Sequence, residues 1–228
     1  MQKTTPNTRI RITLSASILF ILLAVLYFLP LDIPYKTALP LTILTIMAPW
    51  ILPWQMCLAM LFSAAGDAAG AYGSFILQIS FFALAHIMLI VFFISRALKE
   101  KLYSLSGYSS RSGSAQFVFA FILTVVAMGL LASSTAVLAP AAPDITVRSA
   151  VSAYSAIILI MLWTALAQKD LAFAAAAVLF VFSDAVLAWN RYVSPVPGET
   201  YIVMIPYYIA QLTLFIRSSI QPQIYRQA

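Results

Sequence analysis

Residues Phe75–Ser95 read FILQISFFALAHIMLIVFFIS, with no Asp, Glu, Lys or Arg among them. An uncharged apolar run of about 20 residues is long enough to cross the hydrocarbon core of a bilayer as a helix. The rest of the chain repeats the pattern. Bounding the apolar runs by charges, prolines and polar clusters gives Ile10–Leu29, Leu39–Pro49, Trp54–Tyr72, Phe75–Ser95, Ala115–Ala139, Ala150–Ala167, Leu171–Trp189 and Tyr201–Ile216. Lipid offers no partner to unpaired backbone groups, so the spans are expected to be helices. The expected fold is an all-α integral membrane protein, an eight-transmembrane-helix bundle forming a single polytopic domain over residues 1–228. Pro40, Pro49 and Pro53 crowd the second run, which is expected to be tilted or broken.

Composition agrees. Of 228 residues, 63% are hydrophobic and 9% charged, against about 25% charged in an average soluble domain. That excludes a soluble enzyme, a secreted disulfide scaffold and a DNA-binding domain. One cysteine, Cys57, excludes an internal disulfide and a cysteine-rich metal site, and one histidine, His86, excludes a His-x-x-x-His zinc motif. The net charge of +6 reads as membrane orientation and not as a nucleic-acid surface. Lys3, Arg9 and Arg11 precede the first run as in a signal peptide. That run ends in Leu29-Pro30 without a small-x-small cleavage site, so it is read as an uncleaved first span.

With eight spans, ten of the 13 basic residues fall on the side of the termini, and Lys36, Arg148 and Arg191 fall on the other. The positive-inside bias puts the N and C termini in the cytoplasm. The segment Arg96–Arg111 then reads as a basic cytoplasmic loop that orients the chain. In a bacterial cell such a protein sits in the inner, or plasma, membrane.

Five of the seven acidic residues lie in loops or at span ends; Asp67 and Asp184 lie inside the third and seventh runs. An ionised carboxylate in the bilayer interior costs at least about 2.5 kcal/mol, so such a residue ordinarily faces a cavity and acts there, although a protonated one can also serve helix packing. Each lies at the same offset from the start of its run, Trp54 and Leu171, so the two should sit at similar depth, roughly 20 Å along their helices. His86 falls mid-span. Tyr207 and Gln211 are one turn apart on the last run, Lys36 stands at the mouth of the second, and Tyr154 lies near the outer end of the sixth. Each has a plainer reading: a packing histidine, an interfacial tyrosine, an interhelical glutamine, a solvated lysine. Around Asp67 the sequence Ser63-Ala64-Ala65-Gly66-Asp67-Ala68-Ala69-Gly70-Ala71 is almost entirely small. Gly66 and Gly70 therefore offer a face for close helix packing. Aligning Gly66-Asp67-Ala68 with Ser183-Asp184-Ala185 also suggests two parallel four-helix repeats, related by an axis along the membrane normal.

These residues resemble the motifs of the YhhN-like lysoplasmalogenase family. Ser63-x-x-Gly66-Asp67 followed by Phe82-Ala83-x-Ala85-His86-Ile87 is similar to its first motif. Leu179-Phe180-Val181-Phe182-Ser183-Asp184-x-x-Leu187-Ala188 is similar to its second, and Tyr207-Tyr208-x-Ala210-Gln211 to its last. Tyr154, Met161 and Lys36 fall where that family has a tyrosine, a methionine and a lysine. Two positions depart from the pattern: Pro40 does not directly follow the lysine, and Leu89 stands where a tyrosine is usual.

The resemblance implies hydrolysis of the vinyl-ether bond of a lysoplasmalogen, a lysophospholipid drawn from the surrounding membrane lipid. The products are a fatty aldehyde and a glycerophospho-base, and no cofactor or metal is called for. The chemistry needs a proton donor and an anion that stabilises an oxocarbenium ion and activates water, roles that two carboxylates can divide as in glycosidases. On this reading Asp67 and Asp184 form the acid–base pair and His86 orients one of them or relays protons. Lys36 meets the lipid phosphate, and Tyr154, Tyr207 and Gln211 position glycerol oxygens and water. Intramembrane carboxylates with a histidine and a repeat equally describe a proton-coupled transporter or carrier. Asp67, His86 and Asp184 as metal ligands, or a lipid-binding protein without chemistry, are further readings of the same residues.

Overall fold

The computed structural model describes residues 5–105, 136–137, 141 and 145–220. Among them are seven helices and no strand: α1 Pro6–Tyr27, α2 Leu39–Ile51, α3 Trp54–Ala71, α4 Phe75–Leu105, α5 Ile145–Leu166, α6 Leu171–Tyr192 and α7 Glu199–Ser219. Five are long and apolar enough to cross a membrane: α1, residues Phe75–Leu102 of α4, α5, α6 and α7. The protein is thus a helical, multi-pass integral membrane protein. The expected span Ala115–Ala139 lies outside the described residues, apart from residues 136 and 137.

α1 shows what solvent these helices were built for. Its buried residues are Thr13, Ala16, Ser17 and Phe20, at i, i+3, i+4 and i+7. Ile10, Leu14, Ile18 and Leu22 stand exposed on another face. The outward face is more apolar than the inward one, the reverse of a helix in water. In lipid, association is driven by close packing of small and weakly polar residues, and the greasy side chains are left to the acyl chains. The Ser17 hydroxyl returns its bond to the Thr13 carbonyl at 2.8 Å.

The helices fall into two compact units, one of Met1–Leu89 with Gln211–Ala228 and the other of Ile90–Ala210. In the first unit α1 packs on α2 and α2 on α3. α2 carries Pro40 in its first turn, where a missing N–H costs nothing, and Pro49 inside its last turns. It has 13 residues, about 20 Å of helix, too short for a hydrocarbon core of about 30 Å. The crowding of prolines therefore makes a short helix. Leu52 and Pro53 turn the chain directly into α3. Trp50 and Trp54 are exposed at that turn, with Tyr35 and Tyr72 exposed at the far ends of the same two helices. Arg9 at the start of α1 donates from Nη2 to the Ile51 carbonyl and, at 3.3 Å, to that of Ser219. One cation thus satisfies the terminal carbonyls of both α2 and α7.

Gly66 and Gly70 pack against α4, as their spacing predicts, and the two contacts differ in kind. A Cβ on Gly66 would lie 2.9 Å from two atoms of the Phe82 ring, whereas one on Gly70 would lie 2.7 Å from the Gln78 amide nitrogen. The ring belongs to a buried side chain with no room to retreat; the amide ends a flexible chain that can swing aside. Replacing glycine with alanine in a helix otherwise gains roughly 0.5–1 kcal/mol. Gly66→Ala is therefore expected to lower the thermal midpoint in detergent, and Gly70→Ala to leave it level or raise it. Equal changes in the two variants would contradict this packing.

In the second unit, α5 packs on α6. The ring of Phe173 on α6 stands edge-on to those of Phe92 and Phe93 on α4, at 5.7 and 5.3 Å. The fourth run does not end at Ser95: α4 continues to Leu105, because Ala97, Leu98, Lys99, Glu100, Lys101 and Leu102 are good helix formers with no breaker among them. Arg96, expected in a loop as an orienting charge, is a buried helical residue 3.3 Å from the Asp170 carboxylate. The sixth run likewise begins earlier, at Ile145, so Arg148 is also helical.

Candidate active site

α3 and α6 begin at Trp54 and Leu171, the starts read from sequence, so Asp67 and Asp184 occupy equivalent positions along their own helices. Both are buried, Asp67 at 3% and Asp184 at 9% exposure.

The first unit holds Asp67, His86, Lys36 and Gln211. His86 is completely buried on α4. Ser63, one turn before Asp67, is buried as well, so α3 turns a polar stripe inward amid alanine and glycine. Gln211 on α7 is buried, and its Nε2 finds no hydrogen-bond acceptor among the described residues. A buried donor left unmatched costs about 1–3 kcal/mol. Lys36 follows Tyr35, whose φ of 55° is left-handed, and this turn folds the lysine back on the end of α1. Its Nζ donates to the carbonyls of Leu29 at 3.3 Å and Leu31 at 3.1 Å and lies 5.7 Å from the centre of the Tyr27 ring. Two of its three donors are thereby used.

The second unit brings Asp184 and Tyr154 together: the Tyr154 hydroxyl, on α5, donates to Asp184 Oδ2 at 2.5 Å. Tyr207 is buried on α7, edge-on to Phe180 of α6 with ring centres 5.3 Å apart and tilted against Tyr208 at 5.6 Å. Met161 is buried on α5. Ser183, beside Asp184, donates to the Val203 carbonyl on α7 at 3.0 Å. Sequence reasoning missed that bond, because a serine before an aspartate carries no signal about a backbone carbonyl on the next helix, 20 positions away. Asp170 is the N-cap of α6: its Oδ1 accepts from the amides of Ala172 at 3.2 Å and Phe173 at 3.5 Å. An aspartate just before an apolar run is a helix-start signal, but its pairing with Arg96 was not legible. Among the described residues, no three or more His, Cys, Asp or Glu side chains are grouped to hold a metal ion.

The profile of the YhhN family matches residues 17–218, which takes in Lys36, Asp67, His86, Tyr154, Asp184, Tyr207 and Gln211. The chain belongs to the YhhN family. Shorter stretches of this YhhN protein match curated relatives. Human lysoplasmalogenase TMEM86B is 44% identical over 64 residues, 28% of each chain. The pig lysoplasmalogenase TMEM86B is 37% identical over 82 residues, 36% of this chain and 35% of that one. The matches thus span about a third or less of the relatives' own length. No solved structure matches this chain.

Proposed function

We propose that this YhhN-family protein is a membrane hydrolase that cleaves the vinyl-ether bond of lysoplasmalogens, with Asp67 and Asp184 dividing the acid and base roles. The observation that carries the reading is the burial of these two carboxylates in apolar helices of such a protein. A buried acid is expensive to keep in lipid unless it has work to do. The names of the partially matching relatives, both lysoplasmalogenases, point to the same bond.

The reaction suits such a pair. One carboxylic acid gives its proton to the β-carbon of the vinyl ether; the C=C π bond supplies the electrons, and an oxocarbenium ion forms. Water adds to the α-carbon as a carboxylate removes its proton, giving a hemiacetal. The hemiacetal hydroxyl then returns a proton to the first carboxylate as the C–O bond to glycerol breaks; the glycerol oxygen takes the proton held by the second carboxyl, and the aldehyde leaves. One water is consumed and both carboxyl groups return to their starting states. General acid–base catalysis of this kind contributes about 10²–10⁴-fold. In this reading His86 orients one aspartate or relays its proton, and Tyr207 and Gln211 hold glycerol oxygens and water. Lys36 uses its remaining donor on the lipid phosphate. We place both termini in the cytoplasm, in an eight-helix arrangement built from two parallel four-helix repeats.

The test is to give the purified, detergent-solubilised protein a lysoplasmalogen and, separately, its saturated ether analogue. Fatty aldehyde is expected from the vinyl ether alone, because only an alkene can be protonated at carbon. Cleavage of both ethers would overturn the protonation mechanism, and cleavage of neither would overturn the hydrolase.

A further inference from the structure

We propose that Tyr154 is a positioning residue for Asp184 and not a substrate ligand: its O–H fixes the carboxylate in the orientation in which it works. The inference rests on Asp184 being one of the two working carboxylates.

Three observations in the second unit carry it. The Tyr154 hydroxyl donates to Asp184 Oδ2 at 2.5 Å, reaching from α5 to α6. A phenol has a single O–H to donate. Once that hydrogen is given to Asp184, Tyr154 has only an acceptor left for any glycerol hydroxyl. A tyrosine of the interfacial belt would direct its hydroxyl to headgroups and water; this one directs it to a buried carboxylate. The backbone under Asp184 is also fixed from another side. Ser183 donates to the Val203 carbonyl on α7 at 3.0 Å, and Phe180, one turn earlier, stands edge-on to Tyr207 of the same helix, 5.3 Å away. Those contacts fix the rotation of α6 about its axis. The bond from the rigid Tyr154 ring acts on the side chain itself, and so on the two torsions that aim the Asp184 carboxylate. Tyrosine suits this task because its hydroxyl is carried well away from the backbone on a planar group with few torsions.

The test is Tyr154→Phe in the full-length protein, which keeps the ring and removes only the donor. With lysoplasmalogen as substrate, kcat is expected to fall by about 10²-fold, the cost of a misplaced catalytic group. KM should stay within about twofold of wild type, since no ground-state contact is lost. A raised KM with unchanged kcat would make Tyr154 a substrate ligand and overturn the proposal, as would no change in either constant. A second measurement needs no turnover. The thermal midpoints of Tyr154→Phe, Asp184→Leu, which removes the acceptor, and the double variant form a cycle, in which the double variant should lose less than the sum of the singles. Additive losses would overturn the proposal. Should the wild type release no aldehyde, the hydrolase reading fails, and the cycle still decides whether Tyr154 holds Asp184.

Discussion

Asp67→Asn and Asp184→Asn should each abolish aldehyde release from lysoplasmalogen, by at least about 10²–10⁴-fold in kcat, while leaving the protein folded. Asparagine has nearly the shape of aspartic acid, so neither exchange opens a cavity around residues as buried as these. It also removes the chance of an unpaired charge, so in the apolar interior it is no harder to bury than the acid it replaces. What disappears is the transferable proton in one case and the proton acceptor in the other, and water in the bilayer interior replaces neither. The expected signature is a loss of kcat, with monodisperse elution and thermal midpoint close to wild type. Asp→Glu variants sharpen the test. They retain the acid but move the carboxyl by one methylene, so partial activity is expected from whichever position tolerates displacement better. Asp184, tied to Tyr154, should tolerate it poorly. Wild-type turnover in either asparagine variant would remove that residue from the mechanism. If purified protein releases no aldehyde but both aspartates are needed for solute movement in sealed vesicles, the protein is a carrier.

The membrane class and the helical fold were legible in the sequence because lipid imposes one rule on every span, and long uncharged runs satisfy it only as helices. The starts of α3 and α6 were legible for a local reason: Pro53 and Asp170 each stand at the N-cap, immediately before an apolar run. The burial of Asp67 and Asp184 followed from the scarcity of other intramembrane acids. Partners were not legible. Nothing in the sequence near Tyr154 says that its hydroxyl meets Asp184, because the contact is set by how α5 and α6 are packed. Arg9 is a similar case: counted as an orienting charge, it also satisfies the carbonyls of Ile51 and Ser219, one of them 210 positions away in sequence. Charge counting assigned Arg96 to solvent because arginine usually belongs there, and only the helical continuation of α4 turns it back onto Asp170. Sequence periodicity reports which medium a helix faces, whereas pairwise chemistry is fixed by tertiary distance.

Asp170→Ala is expected to be the most damaging change to stability in the second unit, at about 3–5 kcal/mol, the range for breaking one side of a buried ion pair. Asp170 does two jobs. Oδ2 accepts from Arg96 at 3.3 Å, and Oδ1 caps the first turn of α6. Both side chains of the pair are less than a tenth exposed, so water cannot take over from the missing carboxylate. Alanine would leave the guanidinium buried beside the Phe173 ring, now 5.0 Å from it, without the carboxylate that balances its charge. Loss of the cap alone costs about 0.5–2 kcal/mol, so Asp170→Asn, which still offers a capping oxygen but no charge, should be milder than alanine. The companion test is Arg96→Met combined with Asp170→Asn. Removing both charges removes the uncompensated one, and the double variant should recover most of the stability lost by Asp170→Ala, because apolar replacement of a buried pair is often neutral or better. The measurement is the unfolding midpoint in detergent for all three proteins. If Asp170→Asn stays near wild type while Asp170→Ala and the double variant both fall, the cap and the packing of the Arg96 stem hold this end of α6 and the ion pair contributes nothing.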